Sequence, residues 1–278
     1  MWFMCVFRRA FVYLLLALPA AAQSQGFASI TIKPARAGGP SNASAQLLPN
    51  GDLIASAVSV VTLLSGAYDL PSNGSPRLTT ILPDWTLREK YDIEARVSPN
   101  ALPPSPHDSE VRSRTKQVIR ALLADRFALV MRVENKRMAV YALTVATDGP
   151  KLQPSSIAER DCAFNTGPVP CHHFVGGLGH PLNAKAIDMD DLVHYIGNWT
   201  DLAVVNSTAL NGLFTVNTDG WLPMRLPPPP PNAMSTTNPF AGLPTIFAVL
   251  GKLGLELKQQ EDTVSVFSVE RIERPTAN

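Results

Sequence analysis

Charge is scarce in this chain. Only 17% of its 278 residues are Asp, Glu, Lys or Arg, against about 25% in a typical soluble domain. Basic and acidic side chains, 24 and 23, nearly cancel. Binding nucleic acid by phosphate neutralisation, or an anionic bilayer by a polybasic patch, needs a basic excess, so both classes are excluded. The same balance excludes a strongly charged disordered chain and a coiled coil. Linear catalytic signatures are also lacking. There is no G-x-S-x-G elbow, no H-E-x-x-H, no phosphate-binding P-loop and no complete G-x-G-x-x-G. Gly176-Gly177-Leu178-Gly179 is a fragment of a glycine loop, but a strand follows it rather than a helix, so it reads as a β-turn or bulge. After residue 22 no apolar run approaches the length of a bilayer span, so no membrane span is expected in the mature chain.

What is present begins with an export signal. Residues 1–22 carry Arg8-Arg9, then an apolar run from Phe11 to Leu18, then Ala20-Ala21-Ala22 as a small-residue cleavage pattern. The run is too short for a bilayer span, which argues for cleavage near Ala22 over an uncleaved anchor. The paired arginines leave the twin-arginine route open beside the general secretory one. The expected location is therefore secreted or periplasmic. Removal of residues 1–22 leaves 22 basic against 23 acidic side chains, a net charge of −1. It also removes Cys5, so Cys162 and Cys171 remain, and an even pair in an exported chain is read as one disulfide.

Apolar residues make up 45% of the chain, enough for a sizeable core, and the length suits one large domain or two small ones. Proline is abundant, at 25 residues. It gathers at 98–106, 149–154, 167–170 and 221–244, where the run Pro227–Pro231 reads as a stiff exposed spacer. These breakers divide the mature chain into a first unit at 27–148, a linker at 149–172 bearing the cysteine pair, and a second unit at 173–275 with a Pro-rich loop at 221–244.

The two units share a pattern. In the first, Asp52–Val58 reads as a strand, Ser59 as an N-cap, and Val60, Leu63, Leu64 and Ala67 as one helical face. In the second, Leu182–Ile187, Asp188, and Met189, Leu192, Val193 and Ile196 repeat it. Alternating strands follow at Lys90–Val97 and Leu213–Asp219. Each unit then closes on a helix, Val118–Phe127 or Ile246–Leu253, running into a hairpin. The expected tips are Asn135-Lys136-Arg137 and Glu261-Asp262-Thr263. The fold class is thus α+β: two tandem, internally duplicated units of short antiparallel strands packed with two helices each.

Several segments carry a family resemblance. They are Leu48–Ser56, Pro83-Asp84-Trp85 leading to Tyr91-Asp92-Ile93, Ala121–Phe127 before Val140–Val145, Asp188–Leu192, Leu210–Phe214 and Ile246–Lys258. In order and spacing the chain resembles the soil-associated protein family, bacterial exported domains of unknown function, over about Phe27–Pro275. The resemblance implies an exported protein whose domain is also found fused to membrane peptidases like the β-lactam sensors. It carries over no catalytic residue.

Candidate chemistry is sparse. Cys162, Cys171, His172, His173 and His180 are soft metal ligands close in sequence. The competing reading joins the cysteines and leaves the histidines on the surface, with His172 and His173 on opposite faces of a strand, and no metal or other cofactor is expected. His194 reads as a boundary histidine, Asp84 as the cap of a turn, Tyr141 and Phe267 as core, and Trp85, Trp199 and Trp221 as residues that do not by themselves demand a groove. With no catalytic residue evident, the chain reads as an extracytoplasmic binding or interaction module, with a protein or peptide partner in the cell envelope. One alternative is an exported hydrolase-type enzyme whose site gathers from distant loops, with His180, His194, Asp188 and Ser59 as its candidates. An envelope structural protein is the other.

Overall fold

A computed structural model describes residues 27–36, 43–48, 50–71, 74–97, 108–162, 171–225 and 240–275. The export signal, the prolines at 98–106 and the run Pro227–Pro231 lie outside the described residues, as do Gly167–Pro170 between the cysteines. The described residues form an α+β fold of three sheets, and none of their helices is long and apolar enough to cross a membrane.

The first sheet holds β1 (Phe27–Pro34), β2 (Ser44–Leu47), β3 (Leu53–Val58) and β4 (Tyr91–Val97) in the antiparallel order β1-β4-β3-β2. In β4 the alternation seen in the sequence turns Tyr91, Ile93, Ala95 and Val97 inward. Helix α1 (Val60–Tyr68) starts where β3 ends. The Thr62 amide donates to Ser59 Oγ at 3.1 Å, and Val60, Leu63, Leu64 and Ala67 are the buried face. A short helix, α2 (Trp85–Arg88), starts at Asp84. Its carboxylate makes no capping bond and pairs instead with Arg88 at 3.2 Å. Helix α3 (Asp108–Arg126) is longer than expected and supplies Val118, Leu122 and Leu123 to the same core.

The second sheet holds β6 (Gln153–Pro154), β7 (Phe174–Gly177), β8 (His180–Ile187) and β10 (Phe214–Asn217), ordered β6-β10-β8-β7. The glycine-loop fragment is the turn between β7 and β8. The register slips between Val175 and Gly177, and Gly179 takes φ +71°, a turn conformation that suits glycine. Helix α4 (Met189–Gly197) follows β8, and α5 (Ile246–Lys252) starts at Thr245, whose Oγ accepts from the Ala248 amide. Their buried faces form a second core with Leu182, Ile187 and Phe214.

The third sheet corrects the expected pair of hairpins. Residues 130–145 are one continuous strand, β5 (Val130–Val145), and residues 255–271 are another, β11 (Leu255–Arg271). They pair with each other, antiparallel, in constant register from Val145↔Leu255 to Met131↔Val269. Asn135-Lys136-Arg137 and Glu261-Asp262-Thr263 are not tips; they lie in mid-ribbon and meet at the pair Arg137↔Thr263. The physical reason is that polar residues mark solvent exposure, and the middle of a two-stranded ribbon is as exposed as a turn. One end of the ribbon (Leu129, Met131, Val269) enters the first core; the other (Tyr141, Leu143, Leu255, Leu257) enters the second. The two cores are therefore joined by shared strands, not strung in tandem by a linker alone. Strand β9 (Ala203–Asn206) adds to β5 in parallel, and a bridge at Leu78 adds to β11 at Phe267, also in parallel.

Candidate functional site

Where the first core's helices face α4, the structure holds a cleft of about 850 Å³. The end of α1 and the segment after it contribute Asp69 and Arg77, α3 contributes Arg112 and Lys116, and α4 contributes Asp191 and His194. Lys116 Nζ reaches Asp69 at 2.8 Å along one wall. Arg112 Nη1 crosses from α3 to Asp191 on α4, at 3.3 Å. Arg225 bridges in the same way, donating to the Gly74 carbonyl and, at 3.0 Å, to the Gly197 carbonyl at the end of α4.

The polar centre of the site is the start of α4. Asp188 is the N-cap: the Asp191 amide donates to its Oδ1 at 2.7 Å, and the Asp188 amide donates back to Asp191 Oδ2 at 3.1 Å. This reciprocal box satisfies two amides that the helix itself leaves without partners. It also fixes both carboxylates next to His172, whose side chain is only 3% exposed. His172 Nδ1 lies 2.6 Å from Asp191 Oδ2 and 3.7 Å from Asp188 Oδ2. On the other side of the ring, Nε2 faces Glu159 Oε2 at 3.0 Å, with Arg112 Nη2 at 3.3 Å.

The local chain explains how these groups meet. Cys162 and Cys171 stand at disulfide distance, with sulfurs 2.07 Å apart. Glu159 lies in the single 3-10 turn that runs into Cys162, and His172 follows Cys171 directly. Joining the cysteines thus brings the carboxylate and the imidazole together. His172 takes φ +53°, a left-handed conformation uncommon for histidine, which is held by its amide donating to the Ala186 carbonyl at 2.7 Å.

Burial alone would lower the pKa of His172. The hydrogen bond and charge of Asp191 outweigh it and, with Glu159, raise the imidazole above the ordinary histidine value. Burial likewise raises the Asp188 carboxyl. For Asp191, burial works upward but the bond to His172 prevails, holding that carboxyl below its usual range. His194, in the same cleft, goes the other way from His172: burial pushes it below the ordinary histidine value.

The sequence candidates separate cleanly on this geometry. Asp188 and His194 line the cleft, whereas Ser59 is a buried cap and does not, and His180 is exposed at the start of β8. His173 is exposed, but His172 is not a surface histidine and does not lie on a strand. It sits in the turn before β7, because the backbone reverses at Cys171–His172. Tyr141 and Phe267 are core, in edge-to-face contact with Phe247 and Tyr68 respectively. The tryptophans do not line a common groove: Trp199 and Trp221 pack in the second core, Trp85 against the first. Trp85 lies under Arg274, while Trp221 is buried against Tyr195. Sequence reasoning missed Asp191, Glu159 and Arg112. The Asp188-x-x-Asp191 spacing of a capping box signalled the first, and the three-residue step from Glu159 to Cys162 signalled the second. Nothing local signalled Arg112.

The fold and site together define an α+β protein with a polar, two-walled cleft. A family model described as a protein of unknown function (DUF3738) matches residues 61–272, and the chain belongs to that family. Comparison with curated proteins and with solved structures finds no match.

Proposed function

We propose that the chain is an extracytoplasmic binding module, exported on residues 1–22, and that the cleft between α1–α3 and α4 takes a peptide or peptide-like partner of the cell envelope. The observation that carries this reading is the cleft itself. Its walls come from both halves of the chain, and they present cations and anions beside apolar Phe174, Val193 and Val204. Ser59, the hydroxyl candidate of an exported hydrolase, lies outside the cleft. Soil association and kinship with sensor-fused domains belong to the same proposal and rest on the segment resemblances alone.

We also infer that the two halves descend from one duplicated unit. The strand orders β1-β4-β3-β2 and β6-β10-β8-β7 correspond element by element. The parallel partners Leu78↔Phe267 and Val204↔Tyr141 support the reading, since each residue stands 126 positions from its counterpart. The mid-ribbon partners Arg137 and Thr263 are 126 apart as well.

Gly66 offers a test. It faces the cleft from α1, and a Cβ there would meet nothing within 4 Å. Gly251 on α5 is equally open but lies elsewhere. A combinatorial peptide library should yield ligands that stabilise the exported chain and the Gly251→Trp variant but not Gly66→Trp. Ligands insensitive to Gly66→Trp, or a chain retained in the cytoplasm with residues 1–22 uncleaved, would sink the proposal.

A further inference from the structure

The start of α4 is built in a way that capping alone does not require. Each of its two carboxylates turns one oxygen to the same place. Asp188 Oδ1 receives the Asp191 amide, and Asp191 Oδ1 receives Arg112. Asp188 Oδ2 and Asp191 Oδ2, the latter also accepting from the Asp188 amide, both face His172 Nδ1, and the three atoms lie within 4.8 Å of one another. Glu159 meets the opposite ring nitrogen, Nε2. A carboxylate accepting from Nε2–H is the arrangement found behind metal-bound histidines, and an ion at Nδ1 would take the place of the proton that Nδ1 shares with Asp191 Oδ2.

We propose that His172 Nδ1, Asp188 Oδ2 and Asp191 Oδ2 form a site for one divalent transition-metal ion of the zinc type, with Glu159 as the positioning residue behind the histidine. Nitrogen and carboxylate oxygen are both suited to such an ion, and three protein ligands leave a fourth position for water or substrate. The spacing is right. Ligands bound tetrahedrally at ~2.0–2.1 Å stand about 3.3–3.4 Å apart, and the distances from Nδ1 here, 2.6 and 3.7 Å, bracket that value. Small side-chain rotations suffice.

The surroundings also point to a cation. The imidazole is almost fully buried and is held from both sides, so its position does not depend on an ion. Four carboxylates, Glu159, Asp188, Asp190 and Asp191, gather around this imidazole and the guanidinium of Arg112, an excess of negative charge in a partly enclosed space even with the ring protonated. The site also has access. Asp188 borders both the main cleft and a second cavity of about 270 Å³ lined by Glu159, Asn206 and Gly212. Cys162 is near enough to be a ligand in geometry but is committed to Cys171. The proposal is independent of the peptide reading of the cleft.

The test is a titration of the full exported chain, stripped with chelator, with Co²⁺ followed in the visible range and with Zn²⁺ by calorimetry. One ion per chain is expected, with zinc displacing cobalt and affinity falling as acid protonates His172. Asp188→Asn is the decisive variant. Asparagine caps a helix as well as aspartate, so folding should persist while affinity drops at least about tenfold. Glu159→Gln should weaken binding roughly 10–100-fold and leave the stoichiometry at one. His172→Gln should abolish the cobalt spectrum. No saturable one-to-one binding, or binding unchanged by Asp188→Asn and His172→Gln, would overturn the proposal.

Discussion

Two helix starts, alike in sequence position after a strand, differ in what surrounds them. Ser59 opens α1 from a site that is 1% exposed; its Oγ accepts from the Thr62 amide and also meets Thr62 Oγ1 at 2.9 Å. Every partner is neutral and local. Asp188 opens α4 with a charged box, and that box reaches His172 and Arg112, which arrive from distant parts of the chain, with Glu159 beyond the ring. The first start does one thing, satisfying amides. The second does that and also concentrates charge in a cleft. The same backbone solution thus serves packing in one half and chemistry in the other, and the choice of capping residue decides which.

The largest expected way to break this contrast is to release the loop that α1 lacks. Replacing Cys162 and Cys171 together by serine should cost roughly 2.5–3 kcal/mol of unfolding free energy by loop entropy. It should also free His172 from Glu159. Chemical denaturation measures the first effect and histidine NMR the second; an unchanged imidazole resonance would mean that the loop does not position the ring. Next come the third helical residues, Asp191 and Thr62. Asp191→Ala should cost about 2–3 kcal/mol, because it removes a box partner and leaves Arg112 and His172 without it. Thr62→Ala should cost about 0.5 kcal/mol or less. Equal losses would show that the charged network adds nothing.

At the caps, Ser59→Ala should cost about 1 kcal/mol, and Asp188→Asn should fall within about 0.5 kcal/mol of the parent. The smallest effect concerns pH. Burial lowers the pKa of His194, so the unfolded chain takes up its proton first as the solution is acidified. Stability is therefore full above the unfolded value of about 6.5 and declines as pH falls towards the lower folded value. In His194→Gln that part of the decline should vanish, as denaturation at several pH values would reveal. A steeper decline in the variant would reverse the assignment.

Much of this was legible in the residues themselves. The buried face of α1, Met189, Leu192 and Ile196 on α4 (but not Val193, which lines the cleft), both caps and the alternation of β4 follow from periods of 3.6 and 2 and from capping chemistry. The pairing of the cysteines at close range was legible too. The hairpins were misread because sequence reports that Asn135–Arg137 and Glu261–Thr263 are polar, but not which strand lies opposite. Register over a separation of more than a hundred residues depends on how both cores settle on the ribbon.

The site divides along the same line. Local sequence by itself determined the helix starts, the capping spacing of Asp188 and Asp191, and the step that sets Glu159 and His172 beside the cysteines, because these depend on neighbours a few residues apart. Only the tertiary structure brought Arg112 and the end of α1 across from α4, buried His172 and opened the cleft. Those contacts join segments tens of residues apart, and their geometry is fixed when the two cores close on the shared strands, a constraint that no short stretch of the chain carries.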